Sequence, residues 1–203
     1  MIAHVIDDIY DHYFLSKLEE EMFDHVAFYT TNIANRRTFP SGRKGTHRLF
    51  GTDIFVREGL NRVTTLHDKA EPFFEAFDVI EHQIFNCPIF LRRIDINLQF
   101  YGQHGSPHTD GGPDDVTVML FNNTEWKSEW GGQFQLLSDD RKTVIEEHEY
   151  IPGRVIIFPG NVPHRGLAPL DPYVYRYSTV FRIVVDDNID NYIQAQYQKC
   201  QQV

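Results

Sequence analysis

Five short runs rich in β-branched and aromatic residues constrain the fold most: Ile89 to Tyr101, Val116 to Phe121, Gln133 to Leu137, Arg154 to Phe158 and Tyr173 to Val184. Turns rich in Gly, Pro and Asp separate them, and short strands divided in this way predict an all-β sandwich or barrel. Phe14 to Phe28 and Asp68 to Phe85 instead carry apolar residues at helical spacing, which predicts two helices buttressing one sheet. Their aromatic residues read as core packing. The tail Ile189 to Gln201 has the composition of a short third helix. At 203 residues the chain reads as a single domain, 1–203, with a core over about 89–185, helical support over 1–88 and a tail over 186–203.

His108-Thr109-Asp110, with His164 far downstream, supplies two imidazoles and a carboxylate. Such a set occupies one triangular face of an octahedral metal and leaves the opposite face open, the geometry of non-haem Fe(II) sites that activate dioxygen. A His-x-Asp triplet alone is weak evidence, because a loop histidine gives the same string. Its surroundings raise its weight. The triplet follows a strand-like run, Arg93 to Tyr101, and precedes Gly111-Gly112, so the ligand pair sits at a strand end on a pliant turn. Downstream, Pro152-Gly153 reads as a turn, Arg154 to Phe158 as a buried strand, and Pro159-Gly160 as a turn that delivers His164 to the next strand.

Within Tyr173 to Val184, period two puts Arg176, Ser178, Val180 and Arg182 on one face, and Tyr175, Tyr177, Thr179, Phe181 and Ile183 on the other. An arginine buried by apolar neighbours needs an anionic partner, since an isolated buried charge is too costly. That partner is either an acidic side chain of this chain or the carboxylate of a co-substrate gripped by two parallel hydrogen bonds.

Taken together, these residues resemble the iron(II)- and 2-oxoglutarate-dependent oxygenases, specifically the branch similar to prolyl 4-hydroxylase. The resemblance covers roughly Asp95 to Val184. It rests on Gln99-Phe100-Tyr101-Gly102, His108-Thr109-Asp110-Gly111, Val116 to Phe121, Glu129-Trp130-Gly131-Gly132-Gln133-Phe134, Pro152-Gly153-Arg154 to Pro159 with His164, and Arg176-Tyr177-Ser178. It implies a mainly β (α+β) fold, a cupin-like double-stranded β-helix or jelly roll, with the metal at its open end. It further implies Fe(II) held by His108, Asp110 and His164, and 2-oxoglutarate whose distal carboxylate is bound by Arg176 with help from Ser178. Gln99 and Tyr101 are expected to share a strand face and to add a donor to the same pocket. Dioxygen is the second co-substrate, and ascorbate is the reductant to test. In one respect the sequence departs from the pattern: Leu170-Asp171-Pro172 lengthens the turn between His164 and Arg176, which keeps Arg182 as the alternative carboxylate binder.

The implied activity is that of a dioxygenase hydroxylating an unactivated C–H bond, most simply in a prolyl residue or a proline-like substrate. Hydroxylation is expected over halogenation because related halogenases lack the carboxylate that Asp110 supplies. A free amino acid or another small molecule is the alternative substrate, since substrate contacts lie on variable loops. Two other classes compete: a zinc hydrolase, which would need a neighbouring general base and has no role for Arg176, and a metal-free jelly-roll binding module.

A net charge of −10 argues against a general nucleic-acid surface. No run reaches the length of a membrane span, and the N-terminus lacks the pattern of a signal peptide. Cys87 and Cys200, in no paired motif, fit a reducing compartment, so a cytoplasmic location is expected. Asn32 to Gly51, with Arg36, Arg37, Arg43 and Lys44, reads as a solvated loop or as a flap over the site. Trp126 and Trp130 either hold substrate at the mouth or pack beneath their loop.

Overall fold

The computed structural model describes residues 2–30, 49–59, 62–86 and 89–184; the expected tail helix and nearly all of the expected flap lie outside them. Eleven strands and two helices follow in the order β1 (His4–Ile6), α1 (His12–His25), β2 (Tyr29–Thr30), β3 (Phe50–Glu58), β4 (Arg62–Leu66), α2 (Glu71–Ile80), β5 (Leu91–Gln99), β6 (Asp115–Phe121), β7 (Phe134–Leu137), β8 (Val144–His148), β9 (Val155–Pro159), β10 (His164–Gly166) and β11 (Arg176–Val184). The larger sheet runs β1-β9-β6-β11-β5-β3-β2 with β4 on β3, and the smaller runs β10-β7-β8. All pairings are antiparallel.

Period two divides the central strands into two working faces. Ile94, Ile96, Leu98, Val118, Leu120, Val155, Ile157, Tyr177, Phe181 and Ile183 point to the helices and form one core with Leu15, Leu18 and Met22 of α1 and Phe73, Ala76, Phe77 and Ile80 of α2. The alternate positions Met119, Phe121, Ile156, Phe158 and Val180 meet Phe134 and Leu136 of the smaller sheet in a second core. This inter-sheet space also holds the buried polar residues Gln99, Arg176, Ser178 and His164. The fold is therefore the expected double-stranded β-helix with two supporting helices.

Each helix has a local cause. Asp11 caps α1 by accepting a hydrogen bond from Phe14 N at 2.7 Å, and the buried Leu15, Leu18 and Met22 follow at helical spacing. Pro72 occupies the first turn of α2, where its missing N–H costs nothing, and a π-helical turn, Glu81–Phe85, ends at Asn86 in the left-handed conformation. Burying each large aliphatic side chain of these stripes contributes about 1.5–3 kcal/mol.

The first 88 residues are not helical support alone. β1 extends the large sheet beyond β9, and β3 adds to β5 in the register Phe50↔Leu98. Gly51, and Phe50 before it, belong to β3 and not to a flap. The alternation of β3 is interrupted by a register shift between Asp53 and Phe55, which hides the strand from a period-two search. The final strand begins at Arg176 and not at Tyr173: Asp171 Oδ1 accepts from Tyr173 N at 2.8 Å, holding a turn, and Tyr173 is exposed.

Candidate active site

Backbone pairing brings the two distant histidines together. His108 and His164 form an isolated antiparallel bridge in which His108 N donates to His164 O at 3.0 Å and His164 N donates to His108 O at 2.8 Å. The flanking loops continue the contact, because Asp110 N and Gly111 N both donate to Gly160 O, at 2.9 and 3.0 Å. A side chain at residue 160 would not fit: its Cβ would lie 2.9 Å from Asp115 Cβ and 3.0 Å from Asp115 O.

One ligand atom from each of His108, Asp110 and His164 lies within 4.8 Å of the others. His108 Nε2 is 3.7 Å from Asp110 Oδ1 and His164 Nε2 is 3.5 Å from Asp110 Oδ2. The opposite ring nitrogens are tied back, His108 Nδ1 to Ser106 O and His164 Nδ1 to Val162 O, each at 2.9 Å. A carbonyl only accepts, so both Nδ1 atoms carry the proton and both Nε2 atoms are turned toward the carboxylate. Burial pushes the pKa of His164 down, against the pull of Asp110, which favours the neutral, ligating form.

Burial also opposes ionisation of Asp110. The Arg182 guanidinium, the two imidazoles and the Thr117 hydroxyl outweigh it and hold the carboxyl below its usual range. Thr117 Oγ1 donates to Asp110 Oδ2 at 2.9 Å, and Arg182 donates from Nη2 to Oδ1 at 3.2 Å and from Nη1 to the Asp110 carbonyl at 3.3 Å. Arg182 also meets Asp95 Oδ2 at 3.5 Å, and Asp95 is paired in turn with Arg93 at 2.6 Å. Arg182 is thus committed to two acids of this chain. Sequence reasoning missed its partnership with Asp110 and missed Thr117 altogether; the available signal was a polar residue within the apolar run Val116 to Phe121.

Arg176 has the opposite surroundings. It is 2 % exposed, and its guanidinium lies over the rings of Phe121 (5.2 Å) and Tyr150 (4.9 Å). Its Nε donates to Gly132 O at 2.9 Å and its Nη1 to Gln99 Oε1 at 2.7 Å, with Ser178 Oγ at 3.5 Å, while Nη2 has no partner among the described residues. No carboxylate of the described residues pairs with it, and burial lowers its pKa to about 10. A buried guanidinium without an acidic partner carries an uncompensated charge, which an anion would offset. It adjoins the histidine pair through Gly166, two residues beyond His164 on β10: a Cβ there would lie 3.2 Å from Arg176 Nη1 and 2.9 Å from Gln99 Oε1.

Gln99, Arg176 and Ser178 therefore converge as expected, with Arg176 paired to Gln99 across β11 and β5. Tyr101 does not join them. β5 ends at Gln99, so the strand-face argument stops two residues short, and Tyr101 is 59 % exposed in the following turn. Trp126 packs beneath its loop, 4.3 Å from the Tyr150 ring with Nε1 donating to Gly131 O at 3.0 Å. Trp130 stacks edge-on against Trp126.

Residues 96–181 match the family model described as the 2OG-Fe(II) oxygenase superfamily. No curated protein sequence matches the chain. Similar solved structures include an oxidoreductase of the 2OG-Fe(II) oxygenase family from Burkholderia pseudomallei, 15% identical with a TM-score of 0.66 over 91% of this chain and 86% of that one. A Pseudomonas putida prolyl-4-hydroxylase is 16% identical, with a TM-score of 0.58 over 91% and 92% of the two chains. The non-haem alpha-ketoglutarate-dependent epimerase of nogalamycin biosynthesis is 12% identical, with a TM-score of 0.60 over 90% and 78%. The segment that carries the three clustered ligands and the buried arginine is thus the one that matches the 2OG-Fe(II) oxygenase superfamily model.

Proposed function

We propose that this chain is a hydroxylase in which His108, Asp110 and His164 hold Fe(II) and Arg176, with Gln99 and Ser178, binds the distal carboxylate of 2-oxoglutarate. The observation that carries the reading is the proximity of two features: the His108–Asp110–His164 cluster, whose ligand atoms lie within 4.8 Å of one another, and the buried Arg176 guanidinium, which has no carboxylate partner among the described residues. The donor set fits a hard or borderline divalent ion with imidazole and carboxylate ligands. The orphaned Nη2 and the Gly166 backbone fit a carboxylate laid against Arg176.

When bound, the iron supplies oxygen activation coupled to decarboxylation of 2-oxoglutarate, so that one atom of dioxygen enters the substrate C–H bond and the other enters succinate, with release of carbon dioxide. The side chains bind, orient and exclude water. The two Nδ1–H donors fix the imidazole planes, Thr117 and Arg182 fix the carboxylate, and Phe121, Tyr150 and Phe158 keep the inter-sheet space dry. Asp110 supplies the third ligand, which favours hydroxylation.

The substrate we propose is a prolyl residue or a proline-like molecule, with a free amino acid or other small molecule as the alternative. The prolyl-4-hydroxylase relative supports the first and the epimerase relative shows how widely chemistry varies on this fold.

The test is anaerobic binding of Fe(II) and 2-oxoglutarate followed by admission of oxygen and assay of succinate. His108→Ala abolishes succinate release, and Arg176→Ala raises the 2-oxoglutarate requirement while iron still binds. Unchanged turnover in His108→Ala rejects the ligand set, and an effect confined to Arg182→Ala reassigns the carboxylate site. A screen of prolyl peptides and free amino acids for oxygen incorporation then identifies the substrate.

A further inference from the structure

A cleft of about 700 Å³ opens beside Asp110, between the Thr109–Gly112 loop and the end of β3 at Val56 to Glu58. Four arginines line it: Arg57, Arg92, Arg93 and Arg182. Three have acidic partners. Arg92 meets Asp115 at 3.6 Å, Arg93 meets Asp53 and Asp95 at 2.6 Å each, and Arg182 meets Asp110 and Asp95 at 3.2 and 3.5 Å. Glu58, also on the wall, is drawn outward to Arg62 at 3.3 Å.

Arg57 is left over. Among the described residues no carboxylate pairs with it; its guanidinium lies instead over the rings of Phe55 (5.2 Å) and Phe90 (5.0 Å). Stacking on aromatic faces holds the guanidinium plane in place and occupies none of its in-plane N–H donors, which are the donors a carboxylate or phosphate takes up in pairs. A preorganised cation on the cleft wall of a chain with net charge −10 has a local cause, since random surface charge would repel anions.

We infer that the substrate of this oxygenase carries an anionic group, a carboxylate or phosphate, which Arg57 binds while the reacting carbon faces Asp110. The inference rests on the oxygenase reading and adds a specificity residue to it. The carboxylate belongs either to a small molecule or to an acidic side chain of a polypeptide.

The test uses the full chain loaded with Mn(II) and 2-oxoglutarate under anaerobic conditions, with calorimetric titration of matched probes: N-acetylproline against N-acetylprolinamide, benzoate against benzamide, and a prolyl peptide carrying aspartate against its asparagine twin. The acid of at least one pair binds about tenfold or more tightly than its neutral partner, as expected for a charge-assisted contact. Arg57→Gln erases that preference, Arg57→Lys retains part of it, and both variants bind Mn(II) and 2-oxoglutarate as the wild type does. Preference in the first two pairs identifies a small-molecule anion, and preference in the peptide pair alone an acidic polypeptide. Equal binding of acid and neutral partner, no binding of any probe, or a preference that survives Arg57→Gln overturns the inference. Failure of the wild type to bind Mn(II) and 2-oxoglutarate overturns the oxygenase reading beneath it.

Discussion

The Arg182 guanidinium lies 3.2 Å from Asp110 Oδ1 and also donates to the Asp110 backbone carbonyl, so one side chain fixes both ends of the residue. It closes a chain of alternating charge, Asp53–Arg93–Asp95–Arg182–Asp110, that runs inward from β3 across β5 and β11. Coulomb attraction and positioning make opposite forecasts here. Removing a cation beside a divalent site strengthens metal binding if net charge governs, and weakens it if carboxylate orientation governs. Arg182→Gln is expected to weaken Co(II) binding about 10–100-fold, the usual cost of losing an outer-shell partner. Arg182→Lys recovers part of the loss, because a single ammonium cannot span Asp110 and Asp95 in the same way. Metal titration of the unloaded protein decides the matter.

Ligand-linked stability tests Arg176 without any turnover. With Mn(II) present, 2-oxoglutarate at about 100 times its dissociation constant stabilises the fold by about 2.7 kcal/mol. Arg176→Ala loses most of that increment at the same concentration, whereas stabilisation by Mn(II) alone is retained. Thermal unfolding with and without each ligand makes the comparison.

Gly166→Ala separates the two halves of the site. The added methyl meets Gln99 Oε1 and Arg176 Nη1 before it meets anything of the histidine pair. Overpacking of this kind costs about 1–3 kcal/mol. The 2-oxoglutarate KM therefore rises by about tenfold or more while Mn(II) affinity stays near wild type. Paired titrations of metal and co-substrate check the split.

Acid exposes the burial of His164. Its folded pKa is lowered, so below about pH 6.5 the unfolded chain takes up a proton that the native site resists, and stability is lost as pH falls. Asp95, pushed up to about 6 by burial, contributes with the opposite sign over the acid range, but it is common to wild type and variant and cancels in a comparison. Metal-free wild type is expected to lose more stability than His164→Asn between about pH 7 and pH 5.5, measured by denaturant unfolding.

How far the sequence carries depends on the kind of signal. The five β-rich runs and the two helices were legible because period two and period 3.6 are local signals, and the set His108, Asp110 and His164 because two imidazoles and a carboxylate in that order fit one metal and one family pattern. So was the shared face of Arg176, Ser178 and Arg182. What Arg182 contacts was not legible, since Asp95 comes beside it only through the register of β5 on β11 and Asp110 only through the loop that follows β5. β3 was hidden by its bulge, and β8, with Val144 and Ile145 exposed, lacks the buried face that makes an edge strand visible. Tyr101 failed because extrapolating a strand face past Gln99 ignored the turn that ends it.

The bridge between His108 and His164 makes the two imidazoles part of the main-chain pairing itself. Parting them requires breaking two amide–carbonyl links, so the vertex that grips a cation is as stiff as the sheet, and a cation arriving there orders little that was loose before. Selectivity among different guests is left to the other wall of the cleft, where Val56, Arg57 and Glu58 of β3 face the Thr109–Gly112 loop.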